Sequence, residues 1–266
     1  MAHRIIDSDI DHGPVYTRRS SLFRHRFRRD GRDSHRSHGV DLAVKRFAAL
    51  FAAAAMALSA CAPASAEAVF DAPAATRTAK ETGGQKTAIF AGGCFWGVEA
   101  VFSHTKGVSS AVSGYHGGSA ATAHYDRVSA GGTGHAEAVR VTYDPSVIRY
   151  DQLLQILFSV VADPTMLNAQ GPDRGTQYRA AIVPTSDEQR AVAAAYLTQM
   201  RASNAWSKPI VVAVERARTF YPAETYHQDF AKKNPNHPYI RRWDAPKVEA
   251  LREKFPSFYS AAFTTG

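Results

Sequence analysis

Thr87-Ala88-Ile89-Phe90-Ala91-Gly92-Gly93-Cys94-Phe95-Trp96-Gly97-Val98 is the stretch that decides how this chain is read. Residues 87–90 form a short β-branched and aromatic run, which predicts a strand. Apolar residues at 95, 98, 101 and 102 carry the spacing of an amphipathic helix. Cys94 therefore falls at a strand-to-helix turn, beside a helix N-terminus. Free N–H groups and the helix dipole there favour a thiolate, lowering a thiol pKa of roughly 8.5 by one to several units. Gly92 and Gly93 allow a sharp turn that leaves the sulfur uncovered. Free cysteines are among the most buried residue types, so the turn carries the reading of Cys94 as a nucleophile. Phe95 and Trp96 suit core packing or the wall of a small apolar pocket beside the sulfur.

The strands and helices continue to alternate after this turn. Val108 to Gly114 predicts a second strand, and Tyr115 to Gly134 a Gly- and His-rich loop. His135 to Tyr143 alternates as a strand and is stopped by Asp144-Pro145. Tyr150 to Val161 is helical, with Leu153, Leu154, Ile156, Leu157 and Val160 on its apolar side. Tyr178 to Val183 reads as a strand, Ser186 to Ser203 as a helix capped by Ser186, and Ile210 to Glu215 as another strand. This order predicts an α+β sandwich, with helices packed on a mixed or mainly antiparallel sheet.

Of the 266 residues, the first 66 hold 11 Lys and Arg against 6 Asp and Glu, most of a net charge of +8. The remainder carries little net charge, so the basic balance is no argument for nucleic-acid binding. Lys45-Arg46, an apolar run from Phe47 to Ala60 and small residues after it have the layout of an export signal. The run falls short of the roughly 20 residues that span a membrane. Leu58-Ser59-Ala60-Cys61 resembles a bacterial lipobox, whereas Ala64-Ser65-Ala66 suits cleavage before Glu67. Both routes predict an extracytoplasmic, periplasmic protein, touching a membrane only through a lipid on Cys61. Residues 1–66 are thus a basic extension plus export signal, 67–86 a linker, and 87–266 one globular catalytic domain with a long C-terminal tail.

Cys94 needs companions. Glu137 lies between Ala136 and Ala138 in a predicted strand, where burial would keep its carboxyl protonated and make it a general acid. A solvent-facing strand glutamate fits the same residues. Tyr125 and Tyr178 sit at a loop and a strand start, where a phenol can donate into a pocket or simply pack in the core. Asp173 lies in the tight loop Gly171-Pro172-Asp173-Arg174-Gly175, where an aspartate often only holds a turn. The histidines at 104, 116, 124, 135, 227 and 237 lack metal-ligand spacing, so no metal is expected.

Several motifs occur in order: Gly92-Gly93-Cys94-Phe95-Trp96-Gly97-Val98-Glu99, Gly134-His135-Ala136-Glu137-Ala138-Val139, Tyr143-Asp144-Pro145, Gln170-Gly171-Pro172-Asp173, Gly175-Thr176-Gln177-Tyr178-Arg179 and Tyr221-Pro222-Ala223-Glu224. Over roughly residues 86–235 the chain resembles the peptide-methionine (S)-S-oxide reductases, the A-type methionine sulfoxide reductases. The resemblance implies a ferredoxin-like α+β core and reduction of the S-epimer of methionine sulfoxide, free or in proteins. It implies that Cys94 attacks the sulfoxide sulfur, that Glu137 protonates its oxygen, and that Tyr125 and Tyr178 hydrogen-bond that oxygen. Phe95 and Trp96 would hold the substrate methyl, and Asp173 would orient the site. Cys94 would end as a sulfenic acid.

Ala162 and Ala169 stand where the family often has His and Arg, which touches local loops and not the inferred chemistry. Many members carry recycling cysteines after Lys-Asn-Pro, whereas here Asn234-Pro235 is followed by Asn236-His237-Pro238-Tyr239-Ile240 and no cysteine. The expectation is a one-cysteine cycle in a monomer with no bound cofactor. An external thiol, a thioredoxin-like protein or a small molecule, would reduce the sulfenic acid. A general thiol–disulfide exchanger is disfavoured because there is no Cys-x-x-Cys, and a non-catalytic sulfoxide binder because Cys94, Glu137 and both tyrosines are present.

Overall fold

The computed structural model describes residues 69–266. The predicted export signal and Cys61 lie outside these residues. The run before Cys94 forms β1 (Lys86–Gly92), flanked by β3 (Ala136–Tyr143) on one side and β6 (Ala180–Val183) on the other, both antiparallel. A strand with neighbours on both edges and cover on both faces has little need of alternation, and residues 88–92 are all buried. β2 (Val108–His116) pairs with β3, β8 (Phe220–Pro222) closes that edge, and β7 (Ala213–Val214) adds a parallel strand beyond β6. The six-stranded order is β7-β6-β1-β3-β2-β8. The expected α+β architecture on a mixed sheet is present.

One face of the sheet carries the main core. Phe90 stacks on Phe102 of α1 (Phe95–Ser103) at 5.1 Å and on Tyr150 of α3 (Tyr150–Ile156) at 6.0 Å. Val192, Tyr196, Leu197 and Met200 of α4 (Asp187–Ala202) join the same cluster. Ser186 caps that helix as its sequence predicts, accepting the Gln189 N–H. Ile89, Ala91, Ala136, Ala138, Ala181 and Val183 form a smaller cluster with Phe220, whose ring lies under the Arg140 guanidinium. Glu137, between Ala136 and Ala138, points to the other side, the helix-covered one.

Several elements differ from their predicted form. Residues 157–161 continue α3 as a wide π-type turn. The strand expected over 210–215 shrinks to β7, because Val211 N–H bonds the carbonyl of Pro164 and leaves the ladder. Tyr125 opens a short helix, α2 (Tyr125–Ser129), and Tyr178 ends a 3₁₀ turn ahead of β6. Asp173 belongs to a small hairpin of β4 (Ala169–Gln170) and β5 (Asp173–Arg174).

The described part of the predicted linker is no free tether. Phe70 N–H bonds the carbonyl of Ser159, the Ala79 N–H bonds Asp151, and the Tyr143 and Tyr196 hydroxyls bond Glu81 and the Pro73 carbonyl. Ala and Thr lack helical or strand periodicity, yet their backbone groups still satisfy buried partners. The C-terminal tail is also integral. After α5 (Phe230–Lys233) a π-type turn (Ile240–Asp244) leads into α6 (Ala245–Lys254), whose Ala250 and Leu251 enter the core. The chain then runs back along the end of α1, with Lys106 N–H on Phe258 and Ser260 N–H on His104.

Candidate active site

Cys94 is the N-cap of α1, at φ −53° and ψ 123°. The turn that delivers it needs glycine at 93: φ is +90°, and an added Cβ would stand 2.5 Å from Gln170 Cβ. Gln170 is itself fixed, accepting from the Asp163 N–H at 2.9 Å and donating to the Asp163 carbonyl at 2.8 Å. Sheet and hairpin together thus hold the sulfur at the mouth of α1, half-buried.

Glu137 comes from β3, beside Tyr115 of β2 in the ladder, and is 2% exposed. Its Oε2 accepts the Phe95 N–H at 3.0 Å. Burial pushes its pKa up to about 8 against that N–H, with Asp173 and Asp244 adding to the rise. At neutral pH the carboxyl is mostly protonated, and of the two readings its sequence left open the buried one holds.

The thiol does not follow the expectation of a lowered pKa. Burial first, and then the carboxylates of Glu137 and Asp244, push Cys94 well above its ordinary value; the Trp96 N–H at the sulfur is the opposing influence. The helix N-terminus is real, but desolvation and negative charge outweigh it. At neutral pH Cys94 is therefore a protonated thiol.

Tyr125 and Tyr178 both come to this centre. Their hydroxyl pKa values are raised by burial and then by Glu137, with Cys94 a further cause in each, so both phenols remain donors at neutral pH. The Tyr125 backbone is held by Glu224, whose Oε1 accepts its N–H at 2.9 Å while Oε2 accepts the Tyr115 hydroxyl at 2.8 Å. Asp173 also faces the centre. Burial raises its pKa, opposed by a 2.5 Å bond from the Tyr239 hydroxyl and by the charges of Lys247 and Arg174.

The two aromatic neighbours of Cys94 separate. Phe95 is 1% exposed and packs between Tyr115 and His227. Trp96 is half-exposed and lies flat on Phe230, centroids 3.7 Å apart. Its indole Nε1 donates to His227 Nδ1 at 3.2 Å, and burial lowers the His227 pKa, so that ring is neutral. Of the pair, Trp96 is the one that solvent or a ligand can reach.

Glu224, His227, Tyr239, Asp244 and Lys247 join the centre without having been singled out as site residues. Glu224 stands in a quoted motif, but nothing local tells of its two bonds. The last three belong to the tail, where Asp244-Ala245-Pro246 marks a helix start but no spacing ties it to Cys94. Asp244 packs against α1 at Gly97, where an added Cβ would run into its Oδ1. Among the described residues no three His, Cys, Asp or Glu side chains converge on a metal position.

With this geometry in place, comparison with known proteins is specific. The family model described as peptide methionine sulfoxide reductase matches residues 86–258, reaching past Tyr239 and α6. A relative in Mesorhizobium japonicum named peptide methionine sulfoxide reductase MsrA 2 is 55% identical over 181 residues, 68% of this chain and 93% of its own. One of the same name in Synechocystis is 50% identical, over 65% of this chain and 80% of its own. Among solved structures, Mxr1 from Saccharomyces cerevisiae in reduced form superposes with a TM-score of 0.52 at 31% identity. It covers 61% of this chain and 92% of that one.

Proposed function

This chain belongs to the peptide methionine sulfoxide reductase family, and on that premise we propose that it reduces the S-epimer of methionine sulfoxide through Cys94. The observation that carries the reading is the pairing of a half-buried thiol with a carboxyl held protonated to about pH 8 on the same helix mouth. The sulfoxide oxygen accepts from protonated Glu137 and from the Tyr125 and Tyr178 hydroxyls. Trp96 receives the substrate methyl, with Phe95 as the closed wall behind it.

The raised thiol pKa fits this order of events. Glu137 gives its proton to the sulfoxide oxygen and takes the proton of Cys94 as the sulfur attacks. Cys94–SH and the sulfoxide become Cys94–SOH and the thioether. Oxygen passes to Cys94, and two electrons pass to the substrate sulfur. Two external thiols then reduce Cys94–SOH, leaving a disulfide and water and restoring Cys94–SH. A thioredoxin-like protein or a small thiol supplies them, since Cys94 is the one cysteine among the described residues. The segment over 45–66 supports export, hence repair of oxidised exported proteins, by a monomer that is either lipid-bearing at Cys61 or cleaved before Glu67.

Chirally pure S- and R-sulfoxide peptides, with dithiothreitol as reductant, test the assignment. The S-peptide is consumed and the R-peptide is not, and Cys94→Ser abolishes turnover. Turnover that survives in Cys94→Ser contradicts it.

A further inference from the structure

The rings around half-exposed Trp96 come from the C-terminal part of the chain: His227, Phe230, His237 and Tyr239. Phe230 stacks on the indole face at an interplanar angle of 7°, while Tyr239 meets it edge-on, centroids 5.9 Å apart and planes 82° apart. Tyr239 has a second contact of a different kind: its hydroxyl donates to Asp173 Oδ2 at 2.5 Å. One phenol thus ties the indole beside Cys94 to the carboxylate on the β4–β5 hairpin.

Its place is well determined. The next residue, Ile240, is buried and begins the turn into α6, whose Leu251 sits in the core against α1. Burial and then the proximity of Cys94 and Asp173 push the Tyr239 hydroxyl far above its ordinary pKa, so it is a permanent donor. Charge-assisted bonds of this sort, from a fixed donor to a half-buried carboxylate, are the stronger class of hydrogen bond.

We propose that Tyr239 is a positioning residue for sulfoxide reduction: its hydroxyl fixes Asp173 and its ring edge fixes Trp96. The proposal rests on the sulfoxide reading above. The tail, which carries no second cysteine, has in this account a part in the oxygen-transfer step and none in recycling. The other reading of the same contacts is that Tyr239 only fastens the tail to the domain.

Single-turnover methionine formation from an S-sulfoxide peptide, without reductant, separates the two. Tyr239→Phe keeps the ring and loses the bond, so the rate constant at saturation falls about tenfold, the worth of one charge-assisted hydrogen bond. The half-saturating substrate concentration changes by less than about twofold while the ring still supports Trp96. Tyr239→Leu raises that concentration as well. In Asp173→Ala, adding Tyr239→Phe costs nothing further. A Tyr239→Phe chain with the wild-type rate and half-saturation, whatever its melting temperature, overturns the proposal, as do rate losses that multiply in the double variant. A wild-type chain that forms no methionine overturns the sulfoxide reading itself, so the two failures are distinct.

Discussion

The Phe95 N–H donates to Glu137 Oε2 at 3.0 Å, so the first free donor of the helix that presents Cys94 goes to the acid and not to the thiol. This relationship fixes the carboxyl against the helix mouth while leaving it mostly protonated at neutral pH. The sulfur keeps the Trp96 N–H, which is too little to offset burial and the neighbouring carboxylates.

Replacing Glu137 by Gln preserves the shape and removes the transferable proton. The rate of methionine formation in a single turnover should fall a hundredfold or more, on the order of what a positioned general acid supplies. Rapid-quench sampling of the peptide product measures it. A loss under tenfold would remove Glu137 from the proton transfer.

Because Glu137 titrates at about 8 and acts as an acid, the same rate should decline as pH rises through 8. The limb belongs to Glu137 and so vanishes in Glu137→Gln. A wild-type rate that climbs through pH 8, as for a simple thiolate nucleophile, would show that ionisation of Cys94 controls the step.

Glu99 is a second buried carboxyl, held up at about 7 chiefly by burial, with its Oε2 on the Asp229 N–H. A folded pKa raised above the unfolded value favours folding most below about pH 4.5, and the advantage is lost as pH rises toward 7. Glu99→Gln keeps an acceptor without the charge. It should therefore gain stability over the wild type between these limits, on the order of 1–3 kcal/mol at pH 8. Urea unfolding at pH 4.5 and 8 tests this; a difference that is flat with pH would contradict it.

Gly97→Ala sets helix propensity against packing. In an open helix Ala gains about 1 kcal/mol over Gly. Here the new Cβ runs into Asp244, and overpacking of this kind typically costs about 1–3 kcal/mol. The variant should melt lower than the wild type and lose activity as α6 shifts from α1. A higher melting temperature would mean that the tail yields freely.

The strand–turn–helix around Cys94 was legible because local rules agree there: β-branched residues, paired glycines and helical apolar spacing. For Glu137 the alanine neighbours fitted a buried and a solvent-facing strand position alike, and only the packing of the sheet decides for burial. The sign of the thiol shift was not legible, since it comes first from burial and then from the charges of Glu137 and Asp244, which packing brings near from 43 and 150 residues away and no local pattern announces. Tyr239 was hidden for the same reason, and residues 69–85 were misjudged because many of their attachments are backbone hydrogen bonds that leave no hydrophobic period. What escaped the sequence is chiefly what long-range packing adds.

The most direct test is the intact mass of the chain from residue 67 onward, after mixing with an S-sulfoxide peptide and no reductant, followed by a sulfenic-acid trap. One methionine formed per chain, one oxygen gained at Cys94, and then the trap adduct are the expected result. No methionine and no change in mass would contradict it.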